Sequence, residues 1–508
     1  STVPAPAIVS VGTDTGAAGD GITSDTTQTV VGTGVAGATI SVYVDGVLAG
    51  TTTVNGSGNW SFTTAALADG PHAIVAAQTV SGVLGLPTSP VNVTIDTAGP
   101  ATPLVTSVGT DTGVQGDKLT ADNIDYVKDL VDDCTYIQVK QQGRIIDIAP
   151  TTTNAMVMNP LDYIKATMSN QGKAKFDEKG NVVTQDGKPW IGGNPFPEPQ
   201  TAQEVFAAHT LSWGRHDASV YVCRETDLDA AGKVLYEYTS CWAEMATTGR
   251  LVMTPRPTVP EFADKLRLQS VLFLAPDDVR GTAYLNVWPY DQTRFPTLYG
   301  YLPAFRRVRE LPTNQRFEAL NPGSELYLSD AWAAGDPYLT WGNYRIVGRG
   351  PFLGAVSSGY STHANWLHST HGGPNNNLFW DTTVELVPDA IVVEVEPIGY
   401  PRAPVSRKRV WFDARTLLPL AMASFDRRGQ LFRFFDGAYA RYEDDTSAVM
   451  AGSHPYWSWT TFHAFNVQTG HLTRVEQIRQ AGAGHTMRVN DPGIHERYLT
   501  LAALQRGV

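Results

Sequence analysis

The sequence predicts a mainly β chain, a small β-sandwich followed by a large unclosed antiparallel β-barrel with a few helices. Three observations predict it. Short alternating strands broken by Gly- and Asn-rich turns fill the N-terminal part, a motif recurs at an offset of 97 residues, and consecutive hairpins dominate the chain from Leu211 onward.

Composition supplies the means. Of 508 residues, 42% are hydrophobic and 17% charged, which is ample for large packed cores and suits two to four domains of ~100–200 residues each. The net charge is −12, and no Lys or Arg precedes Lys118 although Asp residues from Asp14 to Asp117 do. Neither part has the basic surface that phosphate neutralisation needs, so nucleic acid is excluded as a partner. No stretch approaches the ~20 uninterrupted apolar residues of a membrane-spanning helix, and the opening Ser1 to Pro4 has no charged segment ahead of an apolar core. The chain reads as a mature, soluble product.

In the N-terminal part, Ile40, Val42 and Val44 alternate with polar residues before Asp45-Gly46, a hairpin turn. Asn55 to Gly58 makes another turn ahead of Trp60 and Phe62, and Val91, Val93 and Ile95 alternate in a later strand. Short strands at this spacing imply a sandwich. Ser10 to Gly16 recurs as Ser107 to Gly113, and Gly19-Asp20 as Gly116-Asp117, about one immunoglobulin-like module apart. Together with the Gly58 to Phe62 hairpin and the Leu67 to Gly70 turn, these residues resemble the tandem immunoglobulin-like repeats of bacterial surface adhesins. The second copy stops near Asp122, which gives a sandwich over 1–99, a linker with a truncated repeat over 100–122, and a large domain over 123–508. In such adhesins, carboxylates at module junctions often hold calcium, and Asp96, Asp111 and Asp117 are the candidate ligands; solvated turn carboxylates are the plainer reading. No other cofactor is required.

Beyond the linker, Ile124, Val127, Leu130 and Val131 share one helical face after Asp122, and Thr201 to Glu204 is a capping box. Cys134 reads as a buried thiol on a helix. Cys223 and Cys241 fall in adjacent apparent strands, so a cross-strand disulfide is expected, against the alternative of two buried thiols. Tyr284, Asn286 and Trp288 alternate on one face of the next strand region, and hairpins continue through Ile391 to Val395, Arg407 to Asp413, Leu417 to Phe425 and Gln430 to Phe435. One broad, curved antiparallel sheet follows, with a concave face.

"LFLAPDDVRGTAYL", "YLPAFRRVRELP", "RVWFDARTLLPL" and "FDRRGQLF", in that order, resemble the LolA/LolB-type lipoprotein-sorting superfamily, and more closely its branch called domain of unknown function 1329. "NPFPEPQTAQE" and "LSDAWAAGDPYLTWGNYRIVG" are similar to that branch too. The resemblance covers about residues 120–500 and implies an unclosed barrel with helices in its mouth and a hydrophobic guest such as an acyl chain. It supplies no activity.

Such a site needs apolar area more than reactive groups, at about 0.8 kcal/mol per CH₂ withdrawn from water. Trp213, Tyr284, Trp288, Phe305, Trp411, Phe432 and Phe434 lie on strands that can line it, with core packing as the alternative role of each. Arg306, Arg307 and Arg309, or Arg407, Lys408 and Arg409, are candidates for an anionic headgroup. Gly32 to Gly37 matches GxGxxG but lacks the following helix, so it binds no dinucleotide. His363, His368 and His371 form the one ligand-like cluster, a transition-metal candidate in a loop that runs on through Asn377 and reads as an exposed excursion.

The expected function is therefore a non-catalytic envelope or cell-surface protein, periplasmic, outer-membrane-associated or extracellular in a diderm bacterium. It holds a lipid or other hydrophobic molecule and uses the adhesin-like sandwich for positioning, self-assembly or contact with envelope proteins. The alternatives are a structural subunit of an extracellular fibre, and a metal-dependent enzyme acting on a lipid or polymer at the histidine loop.

Overall fold

The computed structural model describes residues 3–12, 15, 21–97, 118–212, 214–313, 316–319, 321–361, 364–444, 447–452, 454–482 and 484–506. Two compact units divide at Leu104 and Val105. No helix among the described residues is long and apolar enough to cross a membrane.

In the first unit, Thr39–Val44 and Val47–Thr53 form the expected hairpin. Asp45 and Gly46 have φ of 51° and 81°, the left-handed pair that a two-residue turn needs to follow strand twist. This hairpin extends through Gly70–Val80 and Val91–Ile95, while Ala7–Val11, Thr29–Thr33 and Asn59–Thr63 make a separate sheet. Val30 and Trp60 from that sheet meet Ile40, Val42 and Ile74 from the other in one buried core. The alternation seen in the sequence is thus the inward face of a two-sheet sandwich.

The second unit begins earlier than expected. Lys118 and Leu119 pair with Asp147 and Ile146, and Leu119 is fully buried, so residues 118–122 belong to the large unit and not to the linker expected over 100–122. Ile124–Leu130 is a 3-10 segment interrupted at Val127, whose φ of −118° leaves helical geometry. The first true helix, α1 (Asp133–Gln142), starts later, where the Asp132 carboxylate accepts from the Cys134 and Thr135 N–H groups. α2 (Leu161–Asn170) follows, then α3 (Ala202–Leu211). The α3 capping box has both arms: Glu204 N–H donates to Thr201 Oγ1 at 3.2 Å, and Thr201 N–H donates to Glu204 Oε2 at 2.8 Å.

The main sheet contains β1 (Ala218–Leu228), β2 (Val234–Ala246), β3 (Lys265–Ala275), β4 (Ala283–Pro289), β5 (Thr297–Leu302), β6 (Arg307–Leu311) and β7 (Gly342–Gly354). It continues with β8 (Thr382–Glu396), β9 (Val405–Asp413), β10 (Pro419–Asp426), β11 (Leu431–Asp444), β12 (Trp457–Asn466) and β13 (Leu472–Ile478). The path runs β6-β5-β4-β3-β2-β1-β13-β12-β11-β10-β9-β8-β7, antiparallel at every step. β6 and β7 end the path, and the barrel is unclosed. Strand twist accumulated along so long a path curls the sheet into a cup.

The two faces are covered differently. Val220, Val222, Cys241, Ala243 and Leu268 point outward and pack on α4 (Ile494–Tyr498) and α5 (Leu501–Arg506). α3 lies on the inner side, where the Phe206 ring is 5.3 Å from Phe412 and 5.4 Å from Tyr344.

The expected Cys223–Cys241 disulfide is not formed. Cys223 stands opposite Ser240, and Cys241 opposite Val222, so the two thiols are one residue out of register and project from opposite faces of the sheet. All three cysteines are free and buried.

Candidate functional site

The strands β1 to β4 place three rows of side chains on the concave face. Tyr221, Trp242, Val271 and Tyr284 are successive partners in one row; Ser219, Glu244, Gln269 and Asn286 form the next; Arg267 and Trp288 belong to the third. An aromatic row thus abuts a polar one. The Tyr221 hydroxyl donates to Glu244 Oε1 at 2.8 Å, and burial, then the Glu244 charge, push its phenol well above the ordinary range. The Arg267 guanidinium lies 4.2 Å over the Trp288 ring and donates to the Thr210 carbonyl at 2.9 Å; burial pushes Arg267 down to about 9.

The opposite wall is an inner strap, residues 321–341, that enters the cup between β6 and β7. Trp332 is its centre, with ring centroids of Trp459, Phe462 and Phe435 at 5.2, 5.1 and 5.7 Å and Trp242 at 5.9 Å. Trp332 and Ala333 have φ of 44° and 58°, a left-handed conformation that costs roughly 1–2 kcal/mol per non-glycine residue. Aromatic pairs contribute about 0.5–1.5 kcal/mol each, so the ring cluster is large enough to offset it. Ion pairs fix both shoulders of the strap. Arg433 reaches Glu325 at 2.7 Å and Asp330 at 2.9 Å, while Arg316 Nε donates to Asp336 at 2.8 Å. Although burial opposes it, the charges of Arg316 and Lys408 hold the Asp336 carboxylate below its usual range.

Between strap and sheet remains a cavity of about 180 Å³. Its walls are mainly apolar and aromatic, including Trp242, Trp288, Trp332, Trp457 and Trp459, with Glu244 and Arg316 among the polar members. His209 of α3 closes one side, its Nε2 2.8 Å from the Trp332 carbonyl, and burial pushes its imidazole down to about 3.

Of the residues expected to line the concavity, Trp288 does so. Tyr284 shares its strand face but lies outside the cavity wall, and Trp213 lies outside the described residues. The other four do not line it, contrary to expectation. Trp411 stacks on Phe352 at 5.8 Å, on the face opposite Phe412. Phe434 stands opposite Phe465, which packs on Phe379, while the adjacent Phe435 meets Trp332; Phe432 shares the parity of Phe434 and also turns away from the cavity. Phe305 sits in an exposed 3-10 turn. The cause is common to three of them: a strand alternates, and a choice of parity one residue out exchanges inner for outer.

The same alternation splits the basic trio. Lys408 points inward, buried, 3.8 Å over the Trp341 ring, whereas Arg407 and Arg409 turn outward to Glu394 and Phe425. Arg306, Arg307 and Arg309 are exposed at the open edge. Sequence reasoning missed Trp242, Trp332 and the Trp457/Trp459 pair; the period-2 spacing of Trp457 and Trp459 was the available signal.

The histidine segment is exposed at Ala364, Leu367, Ser369 and Asn375 to Asn377, as a surface loop should be, and is anchored by buried rings within it and just beyond it. Trp366, Phe379 and Trp380 are buried against the sheet, and the Trp380 N–H donates to His463 Nε2 at 2.9 Å. His463 Nδ1 meets Asp436, which also binds Arg144 at 2.7 Å, a buried clasp on the outer face. His363, Asp111 and Asp117 lie outside the described residues; the Asp96 N–H donates to the Thr23 carbonyl at 2.9 Å. Among the described residues no group of three His, Cys, Asp or Glu side chains gathers as a metal site.

Fold and cavity define a class: an immunoglobulin-type sandwich joined to an unclosed antiparallel cup with an internal apolar site. The chain belongs to the DUF1329 family, described as a protein of unknown function, whose model matches residues 118–505; residues 2–97 match the bacterial Ig-like domain family. Similar solved structures include a DUF1329 family protein from Desulfovibrio piger, 16% identical, covering 59% of this chain and 96% of that one with a TM-score of 0.38. A domain assigned to outer membrane lipoprotein sorting, from Vibrio parahaemolyticus, is 18% identical over 57% of this chain and 92% of its own, with a TM-score of 0.37. A LolA superfamily protein from Nitrosomonas europaea is 12% identical over 56% and 96%, with a TM-score of 0.30. No curated protein matches the chain.

Proposed function

We propose that the large unit holds an apolar molecule, or the apolar part of a larger one, between the sheet and the inner strap, and that it does so in the cell envelope of a diderm bacterium. The carrying observation is the aromatic cavity of about 180 Å³ inside an unclosed sheet. Its size decides what it takes. An apolar cavity of about 150 Å³ admits a benzene-sized guest, whereas sites for drug-sized ligands run to ~300–1,000 Å³. One ring or the end of an acyl chain fits as the strap stands; a whole chain requires the strap to move. The sandwich, of the bacterial Ig-like type, serves to position the cup. The sorting superfamily resemblance of the large unit supports an envelope setting for both.

The test is organic extraction of the purified protein followed by mass spectrometry, with tryptophan fluorescence as a second readout, since Trp242, Trp288 and Trp332 line the site. A copurifying lipid, or saturable quenching by an added hydrocarbon, is expected. An empty extract together with unchanged emission would instead favour the scaffold reading, in which the strap's own rings are the only contents the cup needs.

A further inference from the structure

The cavity wall contains buried donors that internal packing does not use. Trp288 is 2% exposed, and its Nε1–H has no hydrogen-bond partner among the described residues. Arg316 is also 2% exposed; its Nε binds Asp336 and its Nη2 the Gly335 carbonyl, but Nη1 has no partner among the described residues. Both residues line the cavity, and so does Asn286, whose side-chain oxygen is likewise unpartnered and which sits two residues before Trp288 on the same strand face. Leaving a buried donor unpaired costs about 1–3 kcal/mol, and the large majority of buried polar groups avoid it. A phenylalanine at 288 would fill the same wall with no such cost.

We infer that Trp288, Arg316 and Asn286 form a recognition corner for a hydrogen-bond-accepting carbonyl or carboxylate oxygen carried by the apolar guest. This rests on the apolar-guest reading above and names the chemistry of its polar end. Donors outnumber acceptors there: the indole N–H and the free guanidinium arm are donors only, and the Asn286 amide turns to donate as readily as to accept. The local charge agrees. The cavity wall carries two guanidinium groups, Arg215 and Arg316, against one carboxylate, Glu244; Arg316 is paired with Asp336 behind the wall, and Arg267 stands over the Trp288 ring. Such a corner attracts a partial or full negative charge and repels an ammonium group. The apolar remainder of the ligand then lies against the ring cluster of Trp242, Trp332 and Trp459.

The experiment titrates the full chain with octanoate, methyl octanoate, octane and octylammonium, read by tryptophan fluorescence and checked by native mass spectrometry. Octanoate or its ester is expected to bind about tenfold more tightly than octane, the worth of one to two recovered hydrogen bonds. The difference between octanoate and ester tells whether the natural acceptor is charged. Trp288→Phe keeps the ring and removes the N–H, and is expected to bring the octanoate-to-octane ratio down by about threefold or more; Arg316→Lys keeps the charge, removes Nη1 and is expected to act the same way. Because the readout is a ratio, a general loss of packing cancels. Equal binding of octane and octanoate by the unaltered chain, octylammonium binding as tightly as octanoate, or a ratio untouched in both variants would overturn this inference while leaving the apolar-guest reading standing. Failure of all four probes while benzene still binds would overturn this inference alone; failure of benzene as well, the guest that a cavity of this size admits without movement of the strap, would overturn both.

Discussion

His216 stacks at 6.2 Å on His454 and 5.7 Å from Tyr456, and burial, with the neighbouring His454, pushes its imidazole down to about 3. A histidine unfolds to an ordinary value near 6.5, so the unfolded chain binds a proton that the folded chain refuses between those limits. The stability this neutral histidine supports is therefore complete above about pH 6.5 and is lost as pH falls toward 3. His216→Phe removes the titration and is expected to flatten urea-unfolding free energy against pH over that window, by up to about 1.4 kcal/mol per pH unit. A slope identical to that of the unaltered chain would show that His216 is not buried neutral. At this scale the sequence was legible where chemistry is local. The Thr201–Glu204 capping box needs only two residues of one turn, and it formed as read. Cys223 and Cys241 lie on paired strands as expected, yet whether they face each other depends on a register offset of one, which spacing along the chain does not state.

The inner strap sets the behaviour of the cup as an element. Gly335 is pressed against it so closely that a Cβ there would lie 1.6 Å from the Leu328 carbonyl oxygen. Gly335→Ala must displace backbone, so thermal unfolding is expected to move to lower temperature, by an overpacking cost of roughly 1–3 kcal/mol. Tryptophan emission should shift to the red as the wall around Trp332 opens. Unchanged stability and emission would mean that the strap has slack, and that its fit does not limit the cavity. The hairpin at Asp45-Gly46 was readable because a turn type demands its own residues. The strap was not. Its motif, "LSDAWAAGDPYLTWG", is visible in the chain, but its course inside the sheet is fixed by distant partners, Arg433 to Asp330 and Trp332 to Trp459.

For the whole molecule, the two units have separate cores, one around Trp60 and Ile40 and the other around the main sheet, and the family matches fall on either side of the same division. Deleting residues 1–104 is therefore expected to leave octanoate affinity and the unfolding temperature of the large unit unchanged, as measured by fluorescence titration and calorimetry. A several-fold loss of affinity would give the sandwich a part in the site itself. Local alternation, turn chemistry and repeated motifs were enough to specify the mainly β character, the two-part organisation and its turns. It took the folded arrangement to show that Trp288 faces the cavity while Trp411, Phe432 and Phe434 face away, that the cysteines stay apart, and that a strap leaves so small a space. The physical reason is the twofold periodicity of a strand: it marks two faces without saying which one the cup encloses, and that choice belongs to long-range pairing.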